Sequence, residues 1–386
     1  MELTDSTRAY LPVARAHRRA LHRIPEKGNE EKKTQAYVLD ALRPLAPDAI
    51  TVMAGTGVRA VFRAKGAGEK PRCVAFRADM DALCITERSG CDFASTHPGM
   101  MHACGHDGHT ANLLTLAQRI AEHRDALACD VVLIFQPAEE TTGGAKRMIE
   151  AGALEDPHVD EVYGMHLMPD IPVGRVGSCA GPLMASTTEI DLDITGKSAH
   201  GAMPHLGTDA IAAAAHLLTM LQTQVARTVD PCRSALITVG RMEAGTQRNV
   251  LAAQAHMEGI IRTLSNDVYK ALYARVEDCV RGTEAAFGVT CEITPRVYFP
   301  CVENDAHRHA RVQEILGERY VPLMPRMIAE DFSYYQLHRP GVFVFCGCMD
   351  EKHRSPLHSD TFGFDEEAML YGLELFTRLI DWKHSV

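Results

Sequence analysis

Between residues 50 and 166, short apolar runs of strand length alternate with stretches of helical periodicity, and that order leaves few architectures open. Helical spacing comes first, at Ala9, Leu11, Ala14 and Leu21. It returns at Ala36, Leu39 and Leu42 after a break at Pro25–Gly28. Strand-like runs follow at Ile50–Val52, Val58–Phe62 and Val74–Arg77, the last leading into Asp79-Met-Asp81. A helix is predicted from Gly108 to about Glu122, through Ala111, Leu113, Leu114, Leu116, Ala117 and Ile120. Beyond it lie a strand at Asp130–Phe135, a helical stretch at Gly143–Ala151 and a short strand, Glu161–His166, expected to end on its histidine. Alternation of this kind predicts an α/β layer around a substantial sheet.

The pattern changes near Ala185. Glu189–Thr195 reads Glu-Ile-Asp-Leu-Asp-Ile-Thr, apolar on one face only, as in a strand half open to water. An Ala-rich helix (Asp209–Val229), strands near Ser234–Arg241 and Gln254–Ile261, a helix over Asn266–Ala286 and a strand at Thr290–Val297 complete the set. The order βαββαβ is the ferredoxin-like pattern. Signals typical of the first layer resume after Cys301 and run to Trp382, so this module reads as an insertion. The expected organisation is a discontinuous α/β domain (1–185 and 299–386) with a mixed sheet, interrupted by a smaller domain (186–298). A chain of 386 residues is in any case long for one core.

Composition narrows the class of partner. With 46% hydrophobic and 23% charged residues the chain reads as soluble and globular, and its net charge of −10 argues against nucleic acid or an anionic membrane surface. The first residues, Met-Glu-Leu-Thr-Asp, carry no basic and apolar segments of a secretory signal, and no apolar run approaches the roughly 18 residues of a membrane span. Twelve scattered cysteines in such a chain are expected to be reduced thiols, which places the protein in the cytoplasm.

The chemistry-bearing residues are dispersed. Residues 101–110, Met-His-Ala-Cys-Gly-His-Asp-Gly-His-Thr, interleave Cys104, His106 and His109 with glycines, and thiolate and imidazole are preferred ligands of zinc-like ions. Glu139 and Glu140 follow an apolar run, where one carboxylate can bind metal while the other moves protons. Asp79, Asp81, His166, His200, His205 and His358 complete the set. Singly, each has a bland reading: a buried or surface histidine, a helix-capping acid, a small residue in a turn. Their recurrence at the ends of predicted strands, where open α/β sheets build sites, favours a metallohydrolase. A thiol hydrolase built on Cys104 and a histidine would leave the Glu pair without a role.

The segments Arg77-Ala-Asp-Met-Asp-Ala-Leu83, His102–Thr110, Phe135-Gln-Pro-Ala-Glu-Glu140, Met165-His-Leu167, Gly196-Lys-Ser-Ala-His200, Arg248-Asn-Val-Leu251, Ala329-Glu-Asp-Phe-Ser333 and Leu357-His-Ser-Asp360 occur in this order along nearly the whole chain. They resemble the aminoacylase/carboxypeptidase family of two-metal metallopeptidases (peptidase family M20), and most closely its amidohydrolase branch. The resemblance implies a catalytic α/β domain and a lid domain that mediates homodimerisation. It implies two divalent ions, zinc or manganese (with cobalt or nickel as in vitro substitutes), held by Cys104, His106, Glu140, His166 and His358. Glu139 would be the general base, Asp81 an orienting acid, and His200 an oxyanion contact from the lid of the partner subunit. Asn249 and Arg262 would contact a small N-acyl amino acid substrate. The rival functions are a dipeptidase or carboxypeptidase with the same metals, and a metal-binding homologue without turnover. Three stretches depart from the family pattern, at Ala82-Leu-Cys84, Thr141-Thr-Gly-Gly144 and Asn249-Val-Leu-Ala252, and bear on substrate choice.

Overall fold

The apolar runs of the first part of the chain form the middle of an eight-stranded sheet. Across it lie Ala49–Met53, Gly57–Phe62, Asp130–Gln136, Cys73–Asp79, Glu161–Pro172, Gly341–Met349, Val176–Ser178 and Tyr320–Pro322. The four strands from Asp130–Gln136 to Gly341–Met349 are mutually parallel, and antiparallel pairings flank them. Every residue of Gly57–Phe62, Cys73–Asp79 and Asp130–Gln136 is buried, which is why these strands read as continuous apolar runs rather than alternating ones. Phe76, Leu133, Phe135 and Tyr163 share one core with Leu113 and Leu116 of helix His106–Glu122 and with Leu373 and Phe376 of helix Ala368–Leu379. Each large apolar side chain so buried is worth about 1.5–3 kcal/mol, so the sheet is a stiff frame for the loops at its strand ends.

The computed structural model describes residues 1–65, 71–384 and 386. It divides into two compact units, the first comprising Met1–Leu183, Glu303–Met324 and Asp331–Val386. The second comprises Met184–Val302 with Pro325–Glu330. Its sheet runs Thr290–Phe299, Ser186–Thr195, Gln254–Thr263, Ala235–Ala244, antiparallel throughout, with helices Ala210–Thr228 and Asn266–Phe287 contributing Ala213, Leu217, Leu272 and Val276 to its core. Ser186–Thr195 buries Ile190, Leu192 and Ile194 and turns Glu189 and Asp193 to water. Pro325–Glu330 joins this unit through Ala185 N, which donates to Arg326 O and Ile328 O at 3.0 and 2.9 Å.

The mixed α/β layer and the inserted βαββαβ module are both present as the sequence pattern predicts. One boundary differs in a way that matters for the site. The strand expected to stop at His166 runs on to Pro172, because Leu167 and Met168 pair with Cys346 and Gly347. His166 is therefore an interior strand residue, paired with Phe345 of strand Gly341–Met349, while the pairing with strand Cys73–Asp79 stops at Gly164. Among the described residues no helix is long and apolar enough to cross a membrane.

Candidate functional site

Five separate segments of the first unit bring their side chains to one place beside the parallel strands. Strand Cys73–Asp79 delivers Asp79 and Asp81, and strand Asp130–Gln136 delivers Glu139 and Glu140. The register pairs Asp79 with Gln136, so the two acid-bearing loops start side by side. Gly105, at φ +90°, is the N-cap of helix His106–Glu122. That left-handed turn, which a side chain would resist, lets Cys104 and His106 serve one place. His358 also adopts a left-handed conformation (φ +62°), anchored by its N–H on Ala103 O at 2.8 Å. Such strain persists only where the surroundings determine it, and it clusters at functional sites.

The donor atoms converge. Cys104 Sγ lies 3.3 Å from His166 Nε2, and His166 Nδ1 donates to Leu167 O at 2.7 Å. His106 Nδ1 faces Asp81 twice, at 3.0 Å from its carbonyl and 3.3 Å from Oδ1. Its Nε2 is 4.0 Å from Glu140 Oε1, which in turn is 3.1 Å from His358 Nε2. Asp81 Oδ2 accepts the Glu140 N–H at 2.9 Å, so one acid ties together two donor-bearing segments. Cys104 belongs to two overlapping triples, with His106 and His166 and with Glu140 and His358. In each, one donor atom per residue lies within 4.8 Å of the others. His106, Glu139 and Glu140 form a third such group. Glu139 is buried at 8% exposure.

The electrostatics fit a cation site. Burial opposes the charge of Glu140, yet the hydrogen bond from His358 and the field of His106 hold its carboxyl at about 2. Burial, with the nearby imidazoles of His109 and His106, brings His166 down to about 3, leaving a neutral ring whose Nδ1–H is already spent. Burial and the carboxylates of Glu140 and Glu139 push the Cys104 thiol well above its ordinary range, so its ionisation calls for a positive partner. His106 Nε2 is buried without a hydrogen-bond partner among the described residues, an arrangement expensive in a protein interior unless something binds there. Imidazole, thiolate and carboxylate in this mixture suit zinc-like divalent ions.

His109 is close by but has no lone pair to offer. Its Nδ1 donates to Asp79 Oδ1 at 2.6 Å and its Nε2 accepts the Leu167 N–H at 2.9 Å. Asp79 also accepts Arg77 Nη1 at 2.7 Å; Arg77 reaches on to Asp331 Oδ1 at 2.7 Å and Gln136 Oε1 at 2.9 Å. This buried Arg77–Asp79–Asp331–Gln136 network supports the donors from behind, and the sequence reading gave Arg77 and Asp331 no role. Their separation along the chain leaves no local pattern that would pair them.

The remaining residues lie in the second unit. His200 and Asn249 are exposed and adjacent: His200 bridges Val250, and Gly201 N donates to Asn249 O at 2.8 Å. Arg262 is elsewhere. It sits at the far end of strand Gln254–Thr263, where Nη1 donates to Met327 O at 2.8 Å. Eight residues of extended strand separate Gln254 from Arg262, roughly 25 Å, so the structure does not bring Arg262 together with the His200–Asn249 pair.

Known proteins resemble the chain along its whole length. An N-acetyldiaminopimelate deacetylase of Exiguobacterium sibiricum is 39% identical over 361 residues, covering 93% of this chain and 96% of that one. A solved structure from methicillin-resistant Staphylococcus aureus has a TM-score of 0.90 at 33% identity, over 97% of both chains. A Bacillus subtilis protein described as a dinuclear metal binding peptidase of the M20 family has a TM-score of 0.82 at 33% identity, over 97% of this chain and 98% of that one. The profile of Peptidase family M20/M25/M40 matches residues 75–382, and the chain belongs to that family, among its amidohydrolases.

Proposed function

We propose that this protein is a metal-dependent amidohydrolase that cleaves the amide bond of N-acyl amino acids, releasing a carboxylic acid and a free amino acid. The convergence of Cys104, His106, Glu140, His166 and His358 beside Glu139 carries the reading. These five would hold two divalent ions, zinc or manganese. When bound, the ions polarise the acyl oxygen and lower the pKa of water toward neutrality. The B. subtilis relative's description as dinuclear and the deacetylase name of the E. sibiricum relative support the same chemistry.

The chain's own residues supply the proton handling. Glu139 takes a proton from the attacking water as the C–O bond forms, and returns it to the amide nitrogen as the C–N bond breaks. Asp81 holds the His106 ring by Nδ1 and the Glu140 backbone by its N–H, orienting the ring and anchoring the segment that carries the Glu140 carboxylate. Arg262 grips the α-carboxylate of the substrate, a task for which a guanidinium fork is suited. His200 and Asn249 are assigned to the active site of the partner subunit in a homodimer. Their separation from Arg262 within one lid supports that division, because one small substrate cannot span the sheet.

The test is amine release from a panel of N-acetyl, N-benzoyl and indoleacetyl amino acids, acetyl-diaminopimelate and free dipeptides, using zinc- or manganese-loaded protein. Turnover of the blocked substrates, abolished by chelator, is expected. Turnover of free dipeptides alone would replace this reading with a dipeptidase.

A further inference from the structure

The Pro25–Gly28 break does more than separate two helices. From Glu26 to Glu31 the chain runs along both acid-bearing loops. Glu26 O accepts the Ala82 N–H at 2.8 Å, next to Asp81. Gly28 lies so near the second loop that a Cβ there would come within 2.9 Å of Ala138 Cα. Asn29 Nδ2 donates to Thr142 Oγ1 at 3.2 Å. Glu31 completes the strap: it is fully buried, Oε1 accepts the Ala138 N–H at 2.8 Å, and Oε2 accepts the Thr56 hydroxyl at 2.5 Å.

Ala138 needs such an anchor. It immediately precedes Glu139, and its φ of +57° is one that a residue with a Cβ rarely adopts. Its carbonyl is held by Gly143 N at 3.0 Å, and its N–H is held by Glu31. Glu31 has no ion-pair partner among the described residues, and an apolar side chain would be easier to bury at such a position. The carboxylate ties the Thr56 hydroxyl and the backbone of its own strap to the Ala138 N–H, and so fixes the turn at Ala138.

We propose that Glu31 is a positioning residue of the metal centre. Through the Ala138 N–H it sets the left-handed turn from which Glu139 and Glu140 project, and thereby the affinity of the site for its cations. The inference rests on the metal-centre reading given above.

The experiment compares wild type, Glu31→Leu and Glu31→Gln, each also in an Ala138→Gly background. Three quantities are read: zinc affinity by competition with a chromogenic chelator, kcat and KM on an N-acyl amino acid, and Tm of the metal-free protein. Glu31→Leu is expected to weaken zinc binding about 10- to 100-fold and to lower kcat more than it changes KM. Glu31→Gln, which keeps an oxygen acceptor for the Ala138 N–H, should stay near wild type. Ala138→Gly adopts the turn without strain and should shrink the Glu31→Leu loss. Wild-type zinc affinity in a folded Glu31→Leu variant would overturn the assignment, as would a Gln variant as impaired as Leu. A drop in Tm without any change in zinc affinity would also overturn it, since that is the signature of a purely structural role. Should Glu31→Leu fail to fold, Thr56→Val, which removes the hydroxyl holding Oε2, is put through the same competition. A milder loss of affinity is then expected, and none would overturn the role. Wild-type protein that binds no zinc would instead overturn the metal-centre reading itself.

Discussion

Arg77→Met takes the cation away from two buried carboxylates at once. In the native network Arg77 donates to Asp79, Asp331 and Gln136 at 2.7, 2.7 and 2.9 Å, with its side chain and both acids fully buried. The acids keep other donors after the change: Asp79 retains His109 Nδ1, and Asp331 retains Gln136 Nε2 and Ala145 N. The loss is therefore that of one partner of a buried ion pair, about 3–5 kcal/mol, rather than the full desolvation of two bare charges. The first unit has about 260 residues, and at ~2.1 cal/mol/K per residue its unfolding entropy is about 0.55 kcal/mol/K. A fall in Tm of about 5–9 °C follows. Differential scanning calorimetry of metal-free protein at pH 7 measures it. Arg77→Lys keeps the charge but not the fork and should recover only part of the loss. A Tm within about 1 °C of wild type for Arg77→Met would refute the reasoning, because a buried charge left unpaired cannot be that cheap.

Two further outcomes are expected. Cys104→Asp replaces a soft ligand with a hard one, so the ratio of zinc to manganese affinity should fall, read by competition titration; an unchanged ratio would remove Cys104 from the ligand set. Burial disfavours the charged form of His22, but Asp107 at 2.8 Å and Glu87 at 3.1 Å raise it to about 11. A folded pKa above the unfolded value of about 6.5 means the stabilisation is complete below that pH and is lost as pH rises through the folded value. The Tm deficit of His22→Gln should accordingly be larger at pH 6 than at pH 10, and an equal deficit would contradict the assignment.

What the sequence disclosed follows the range of the interactions. Strands buried on both faces announce themselves as apolar runs, as at Val131–Phe135, and a strand half open to water announces itself by alternation, as at Glu189–Thr195. The metal-centre candidates were legible because thiol, imidazole and carboxylate recur at predicted strand ends. The far end of strand Glu161–Pro172 was not, since only pairing with Gly341–Met349 creates it. Arg77 and Asp331 meet across the fold, and no local pattern encodes that. Nothing in the local sequence singles out Glu31; only the fold places its carboxylate on the Ala138 N–H. Asn249 lies in the loop before strand Gln254–Thr263, and that extended strand carries Arg262 to its far end, away from the loop.

The most direct test of the amidohydrolase reading is the Glu139→Gln variant, which keeps the shape of the side chain and all five proposed donors but removes the proton acceptor. Metal content of the dialysed protein and amine release from an N-acetyl amino acid are measured on the same preparation. Two ions per chain in both proteins, with turnover reduced about 10²- to 10⁴-fold in the variant, is the expected result. Undiminished turnover by a variant that still holds its two ions would contradict it.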